Sequence, residues 1–330
     1  MPKLVDAYAR KIDYLRISVT DRCNLRCVYC MPPQGIDLAE SKNILRYEEI
    51  LRTARIACAN GVTKIRITGG EPLVRRGIVD FLKSLSATPG LVDLSLTTNG
   101  VLLKEYAAAL KSAGLRRVNV SLDSLNAERF KKITRGDNLT QVQGGIEEAQ
   151  RAGLTPVKIN MVAIKGFNDG EIVEFAMLSK TKPYHVRFIE YMPFDTTEGW
   201  QRDKCISAKE LKAMIETVEP LEPVLTTAGN AGPAKRFRFK DAPGEVGFIS
   251  PVSEHFCGSC NRLRLTADGK LRLCLFSDTE IDLRAPLRDG SSDEAVANVI
   301  LRAAFEKPEK HLINENFFKK CSRTMSLIGG

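Results

Sequence analysis

Six short runs rich in Val, Ile and Leu, separated by stretches with helical spacing, constrain this chain more than any other feature. They are residues 15–19 (LRISV), 64–68 (KIRIT), 92–97 (VDLSLT), 117–122 (RVNVSL), 157–164 (VKINMVAI) and 185–190 (HVRFIE). Each has the length and composition of a strand. Their starts are 49, 28, 25, 40 and 28 residues apart, which leaves room for a crossover helix between parallel neighbours. Residues 47–60 place Ile50, Leu51, Ala54 and Ala57 at three- and four-residue steps and end at Asn60-Gly61, a capping sequence. Residues 105–113 and 141–152 read as helices of the same kind, stopped by Gly114 and Gly153. The prediction is an α/β fold with a parallel sheet and helices outside. Six units fall short of the eight that close a TIM barrel. An open, partial (β/α)6 barrel is therefore expected, with another part of the chain covering its open side.

The pattern changes after Pro193. A loop with the only tryptophan, Trp200, leads to a helix over 208–217, then Pro220, Pro223 and the uncharged stretch 229–233. Short strands follow at 234–240 and 245–249. In LRLTADGKLRLCLF, the Asp268-Gly269 pair between two alternating runs predicts a hairpin. A last helix over 293–305 stops before Pro308. At roughly 150 residues per domain, the chain divides into 1–193, the partial barrel, and 194–330, the C-terminal region.

The longest stretch without a charged residue, 223–234, is 12 residues, too short to span a bilayer. The N-terminus has no apolar core of signal-peptide length, and it carries Asp6 and Asp13, unlike a transit peptide. A cytoplasmic protein without a membrane partner is expected. Forty-nine Lys and Arg against 40 Asp and Glu leave a net charge of +9. The excess is scattered, in doublets such as Arg75-Arg76, Arg116-Arg117 and Lys319-Lys320. This is either a solvated basic surface or the mark of an anionic partner, nucleic acid or a phosphorylated small molecule, and scatter argues against a polybasic nucleic-acid arm.

Nine cysteines stand at 23, 27, 30, 58, 205, 257, 260, 274 and 321. The count is odd and no export signal is visible, so metal binding or reactive thiols are favoured over disulfides. Cys23, Cys27 and Cys30 form C-x3-C-x2-C directly after the first strand. Strand C-termini are where β/α folds place their active sites. A structural zinc wants four protein ligands. Three close thiolates instead suit a 4Fe–4S cluster with one iron left open, chance cysteines or a zinc knuckle being the alternative. Cys257, Cys260 and Cys274 form a second triad, C-x2-C-x13-C, around the hairpin. Here a zinc ribbon completed by His255 is the rival reading, although His255 lies only two residues from Cys257. Arg262 and Arg264 point to one face of the hairpin strand. They are either a polyanion grip or a charge device on a sheet edge.

The first triad, with Tyr29 before its last cysteine, and Gly69-Gly70-Glu71-Pro72 after the second strand resemble the radical S-adenosylmethionine (SAM) enzymes. Within them the chain resembles the GTP 3′,8-cyclases of molybdenum cofactor biosynthesis. The likeness runs through SVTDRCNLRCVYCMP, KIRITGGEPLVRR, LTTNG, VNVSLD, RFIEYM, CGSCNRLRL and the terminal Gly329-Gly330. It implies two 4Fe–4S clusters, on Cys23, Cys27 and Cys30 and on Cys257, Cys260 and Cys274. It implies SAM at the open iron of the first, contacted by Tyr29, Gly70, Ser121 and Met192. One electron from a flavodoxin- or ferredoxin-like donor would cleave SAM to methionine and a 5′-deoxyadenosyl radical. That radical would take the 3′ hydrogen of GTP, and C3′ would then bond to C8 of guanine. GTP contacts implied are Arg16, Arg66, Thr97, Lys158, Arg262, Leu263 and Arg264, with the purine on the second cluster. The Gly329-Gly330 tail would enter the active site. The product would pass to cyclic pyranopterin monophosphate synthase, and a homodimer is an open possibility.

Arginines inside apolar strand runs such as LRISV and KIRIT support an anionic ligand, because a buried cation without a partner is costly. Salt bridges to core carboxylates are the lesser rival explanation. Arg187 is a further candidate of this kind. Cys58, Cys205 and Cys321 read as structural or surface thiols. Two other classes remain: a radical SAM peptide maturase with an auxiliary cluster, and an iron–sulfur nucleic-acid sensor.

Overall fold

In a computed structural model, residues 4–193, 201–225, 232–311, 313 and 323–329 are described. Trp200, residues 229–231, the Lys319-Lys320 doublet, Cys321 and Gly330 lie outside the described residues. The six expected strands form as β1 (Tyr14–Ser18), β2 (Lys64–Thr68), β3 (Asp93–Thr98), β4 (Arg117–Ser121), β5 (Lys158–Ala163) and β6 (His185–Glu190). All pair in parallel in chain order. Helices α1 (Tyr47–Ala59), α2 (Ile78–Ser86), α3 (Leu103–Ser112), α4 (Ala127–Thr134), α5 (Leu139–Arg151) and α6 (Ile172–Thr181) fill the crossovers. Sequence reasoning named α1, α3 and α5 but passed over α2 and α6, which lack a glycine stop, and α4, whose C-cap Arg135 is followed by Gly136.

The C-terminal region joins the same sheet. After α7 (Ala208–Glu216) come β7 (Leu221–Pro223), β8 (Lys235–Phe239) and β9 (Glu245–Ile249), and β9 pairs in parallel with β6. The predicted hairpin is β10 (Arg262–Leu265) and β11 (Lys270–Arg272), followed by β12 (Glu280–Asp282), and β10 pairs in parallel with β1. Eight parallel strands thus run β10-β1-β2-β3-β4-β5-β6-β9, with antiparallel strands at both edges of one sheet. Strand periodicity says nothing about which partner a strand will choose, so this extension was not visible in the sequence. Helices α8 (Arg284–Arg288), α9 (Asp293–Phe305) and α10 (Met325–Ile328) complete the described chain. Among the described residues no helix is long and apolar enough to cross a membrane.

Alternation along the strands divides the sheet into two chemistries. Leu15, Ile17, Ile65, Ile67, Val118, Val120, Ile159, Met161, Val186 and Phe188 are buried in the core beneath the helices. The intervening residues face inward and are polar: Tyr14, Arg16 and Ser18 on β1, and Lys64, Arg66 and Thr68 on β2. A closed TIM barrel fills this interior with branched apolar side chains. Here it is left as a cavity.

Leu263 separates two inward arginines, is 1% exposed and belongs to the apolar core. Leu263→Ala should destabilise the apo-protein by about 2–5 kcal/mol through the void it leaves beneath β10. The midpoint of anaerobic urea unfolding, followed by far-UV circular dichroism, measures this.

Candidate functional site

One cavity of about 560 Å³ occupies the barrel interior and meets both cysteine triads. Its walls include Cys23, Cys27, Cys30, Cys257, Cys260 and Cys274, together with Tyr29, Gly70, Ser121, Met192, Arg16, Arg66, Thr97, Lys158, Arg262 and Arg264. Leu263 is not part of the wall, so only its backbone lies between the two arginines. Gly329 is buried and is not a wall residue, its carbonyl accepting from Arg264 Nη1, and Gly330 is outside the described residues.

The first triad sits on a loop built by its neighbours. From α4, the carbonyls of Thr134 and Ile133 accept the N–H groups of Arg26 (3.0 Å) and Val28 (2.9 Å). Arg135 Nη1 donates to the carbonyls of Arg26 (2.8 Å) and Met31 (3.1 Å). On the other side the Gly69-Gly70 turn is stapled to the residues just before Cys23. Gly70 N–H donates to Thr20 O (2.7 Å) and Glu71 N–H to Arg22 O (2.8 Å). A Cβ on Gly70 would lie 2.7 Å from the Arg22 carbonyl carbon and 2.9 Å from Asp21 O. Glycine is thus required by the close approach of two backbones, independently of any ligand.

Two carboxylates that sequence reasoning left unassigned organise this end. Glu71 is fully buried and accepts from Asn99 N–H (2.6 Å), Leu73 N–H (3.0 Å) and Thr98 Oγ1 (2.8 Å). Burial pushes its pKa up to about 7, against the pull of those bonds. Asn99 Nδ2 in turn donates to Asn24 Oδ1 (2.7 Å), beside Cys23. Asp123 accepts the Tyr29 hydroxyl on one oxygen and Val162 N–H (2.8 Å) on the other. Burial lifts Asp123 to about 6 and raises Tyr29 well above its usual value. Both acids stood inside quoted motifs, GGEP and VNVSLD, but nothing in the sequence revealed what they bind.

The thiols themselves fit a cationic iron group. Burial, Cys30, Asp123 and Cys23 all push the Cys27 thiol up. Burial and then Cys23 do the same to Cys30. Thiolates in this setting need a positive charge among them. Among the described residues no three of His, Cys, Asp and Glu converge on a single metal ion. A multi-iron cube asks for something else, thiolates spread to reach separate corners.

The second triad is braced from the N-terminal segment. Arg10 Nη1 donates to Cys257 O (2.7 Å), Asn261 Nδ2 to Asp13 Oδ1 (2.6 Å) and Tyr14 N–H to Asn261 O (3.2 Å). Burial pushes Cys260 up, but Arg262 and Lys307 outweigh it and bring the thiol down to about 6. Lys307 is itself buried, its Nζ donating to Leu273 O (2.6 Å) next to Cys274. It was absent from the sequence-based candidates because it follows a surface helix. His255 is exposed and its ring meets His311 edge-on at 5.6 Å. The eight described cysteines are free thiols, with Cys58 buried and Cys205 half-buried. Burial raises each of those two to about 11.

Between the triads the inner wall is cationic. Arg16, Arg66, Ser95 and Arg117 lie in register across four strands, as do Asn119, Lys158 and His185. Burial lowers Lys158 to about 6, assisted by Arg187, Arg117 and Arg66. Burial likewise brings Arg66 to about 9 and Arg187 to about 10. Arg117 pairs with Asp93 through two 2.5 Å contacts, and Arg236 pairs with Glu245. Core carboxylates therefore account for Arg117 and Arg236. The lowered values of Lys158, Arg66 and Arg187 mark a wall short of negative charge.

A profile of the Radical SAM superfamily matches residues 17–178, and one described as Molybdenum Cofactor Synthesis C matches residues 184–313. The GTP 3′,8-cyclase of Pelotomaculum thermopropionicum is 52% identical over 326 residues, 98% of this chain and 99% of that relative. That of Moorella thermoacetica is 51% identical, with coverage of 98% and 99%. The chain belongs to the GTP 3′,8-cyclase family. As a radical SAM protein of that family it uses a 4Fe–4S cluster and SAM. Among solved structures, anSMEcpe with bound AdoMet matches at a TM-score of 0.59 and 16% identity, covering 96% of this chain and 88% of that one. Streptococcus suis SuiB matches at 0.58 and 17%, covering 92% and 68%. At such identities the likeness is one of fold, so the maturase alternative gains nothing from it.

Binding of inorganic triphosphate should take up protons near neutral pH. Above about pH 6 the free protein holds Lys158 mostly neutral, whereas a polyanion favours the ammonium and raises its pKa. The bound state then carries more protons, so affinity falls as pH rises from about 6. Calorimetry at about pH 8 in buffers of different ionisation heat should show net proton uptake, and none would place Lys158 away from the anion.

Proposed function

We propose that this chain converts GTP to 3′,8-cyclo-7,8-dihydro-GTP, the first step of molybdenum cofactor biosynthesis. The single observation that carries the reading is one cavity bounded by two cysteine triads with a cationic wall between them. In this reading, residues 1–193 hold the SAM end and residues 194–330 supply the auxiliary triad and much of the substrate grip. When bound, the cluster on Cys23, Cys27 and Cys30 and its SAM supply a carbon radical able to abstract hydrogen.

The chain's own residues bind, orient and shield. Tyr29 is fixed by Asp123, and the Gly70 turn by the 20–22 segment, so both present a rigid edge to SAM together with Ser121 and Met192. Arg16, Arg66 and Lys158 neutralise the triphosphate, joined by Arg187. Thr97 offers a hydroxyl between them. Arg262 and Arg264 face the cavity from β10 with the Leu263 backbone between them. Cys257, Cys260 and Cys274 would hold a second 4Fe–4S cluster, which would offer an open iron at the purine end of the cavity. Arg262 and Lys307 supply the positive charge that favours thiolate there. Ser18 and Thr68, at the ends of β1 and β2, receive Gly329, which crowds water out of the space beside the reacting sugar. A flavodoxin- or ferredoxin-class protein delivers the electron, and cyclic pyranopterin monophosphate synthase consumes the product. Homodimerisation is compatible with this scheme and not required by it.

Anaerobic reconstitution followed by SAM, reductant and GTP tests the proposal, with 5′-deoxyadenosine and a cyclised nucleotide as expected products. Reconstituted protein should hold about eight irons per chain. Replacing Cys257, Cys260 and Cys274 together by alanine should leave about four, abolish cyclisation and spare part of the SAM cleavage. Zinc at that triad in reconstituted protein would remove the second cluster from the scheme.

The arginines separate substrate grip from fold. Arg262→Ala or Arg264→Ala should weaken GTP binding by about 1–3 kcal/mol, the worth of a charge-assisted contact, with iron content unchanged. Arg→Lys at either position should recover only part, because the fork is lost. Equilibrium binding of GTP to the reconstituted variants is the measurement, and wild-type affinity in both would assign these residues to fold or surface instead.

A further inference from the structure

Gly329, the last described residue, is held against the ends of β1 and β2. Gly329 adopts φ +80°, and a Cβ there would meet Ser18 Cβ and Thr68 Oγ1 at 2.7 Å. Its carbonyl accepts from Arg264 Nη1 at 3.3 Å. Ser326 and Ile328 are buried just before it. Yet α10 is a helix of four residues, far below the length that holds itself together in water. Its position must come from contacts with the rest of the protein.

We propose that Arg323 is the positioning residue that seats this tail, by pairing with Asp268 at the tip of the β10–β11 hairpin. Arg323 stands immediately before Thr324, the N-cap of α10. Its Nη1 meets Asp268 Oδ1 at 3.0 Å and its Nη2 meets Asp268 Oδ2 at 2.9 Å, a two-pronged pair. Nη2 also reaches Glu280 Oε2 on β12 at 2.8 Å. Asp268 is itself oriented, accepting Thr266 Oγ1 at 2.5 Å. Both partners are 22% exposed, sheltered enough for the fork geometry to count and too wet for a large desolvation penalty. The hairpin that carries Arg264 and leads to Cys274 therefore grips the tail at both ends, through Asp268 before α10 and Arg264 after it. Seating of the tail and placement of Arg264 become one event.

This rests on the reading that the tail takes part in cyclisation, and the two ideas fail separately. Wild type, Arg323→Ala, Asp268→Asn, the double variant and Arg323→Lys are compared as reconstituted holoproteins. Amide hydrogen exchange over residues 324–329 should quicken about tenfold in Arg323→Ala, by less in Asp268→Asn, which keeps the Glu280 contact, and no further in the double than in Arg323→Ala, because the Asp268 pair is already lost there. Cyclised product per 5′-deoxyadenosine should fall about tenfold, with iron content and GTP-free SAM cleavage as in wild type. Arg323→Lys should recover part of both, since charge returns without the fork. Wild-type exchange in Arg323→Ala, or additive losses in the double, would overturn the assignment. So would loss of iron in both single variants, which would make the pair a general brace of the hairpin. Faster exchange with an unchanged product ratio would keep Arg323 as the latch and remove the tail from the reaction.

Discussion

Arg66, Lys158 and Arg187 stand inside the barrel on β2, β5 and β6, and burial works against charge on each of them. This is the constraint from which the rest of the architecture follows. A parallel sheet normally buries both faces under apolar side chains. Here the outer face obeys that rule and the inner face breaks it, so the interior cannot collapse around its own residues. Stability has to come from the apolar layer beneath the helices, which is continuous from Leu4 to the C-terminal elements. The inner face is then free to stay polar and to wait for an anion. Ion pairs such as Arg117 with Asp93 and Arg236 with Glu245 neutralise part of the wall, which leaves the attraction focused on a few side chains.

The same economy of contacts governs the first triad. Cys23, Cys27 and Cys30 lie on a loop with no regular structure of its own, and a loop cannot hold three thiolates in place unaided. Two rigid neighbours do that work: the end of α4 on one side, and the Gly69-Gly70 turn on the other. The turn is fixed in its turn by Glu71, whose buried carboxylate collects Asn99 N–H and the Thr98 hydroxyl from β3's end and Leu73 N–H from its own turn. Glycine, carboxylate and cysteine loop are therefore one mechanical unit. Glu190 plays a matching part at the end of β6, accepting the N–H groups of Ala208, Val252 and Ser253 (3.1, 2.9 and 2.9 Å) ahead of the second triad.

Much of this was legible in the chain because it is written locally. Strand runs, the Asp268-Gly269 hairpin and both cysteine triads are patterns within about 20 residues, the strand spacing is one within about 50, and the strands and the hairpin appear where they were expected. Arg16, Arg66 and Lys158 were legible as oddities, charges inside apolar runs. What escaped was whatever depends on pairing across long separations. That β9 and β10 would join opposite edges of one sheet is a matter of partner choice, not periodicity. Asp123 reaches Tyr29 across 94 positions, and Arg10 reaches Cys257 across 247. Lys307 looked like a surface lysine after a helix. Leu263 was grouped with its neighbours, although alternation alone turns its side chain away from them into the core.

The open barrel also explains why the chain needs its C-terminal third at all. Strands β9 and β10 lengthen the parallel sheet without pairing to each other, so hydrogen bonding never closes the ring. An edge left this way exposes backbone donors and acceptors, and antiparallel strands cap both sides here. The gap between the edges is filled instead by residues around Cys257, Cys274, Lys307 and Ser326, all of which line the cavity. Closure by loops and a tail, and not by a ladder of strands, lets the last wall of the cavity carry chemistry of its own. It also makes that wall depend on side-chain contacts such as Arg10 with Cys257 O and Arg323 with Asp268.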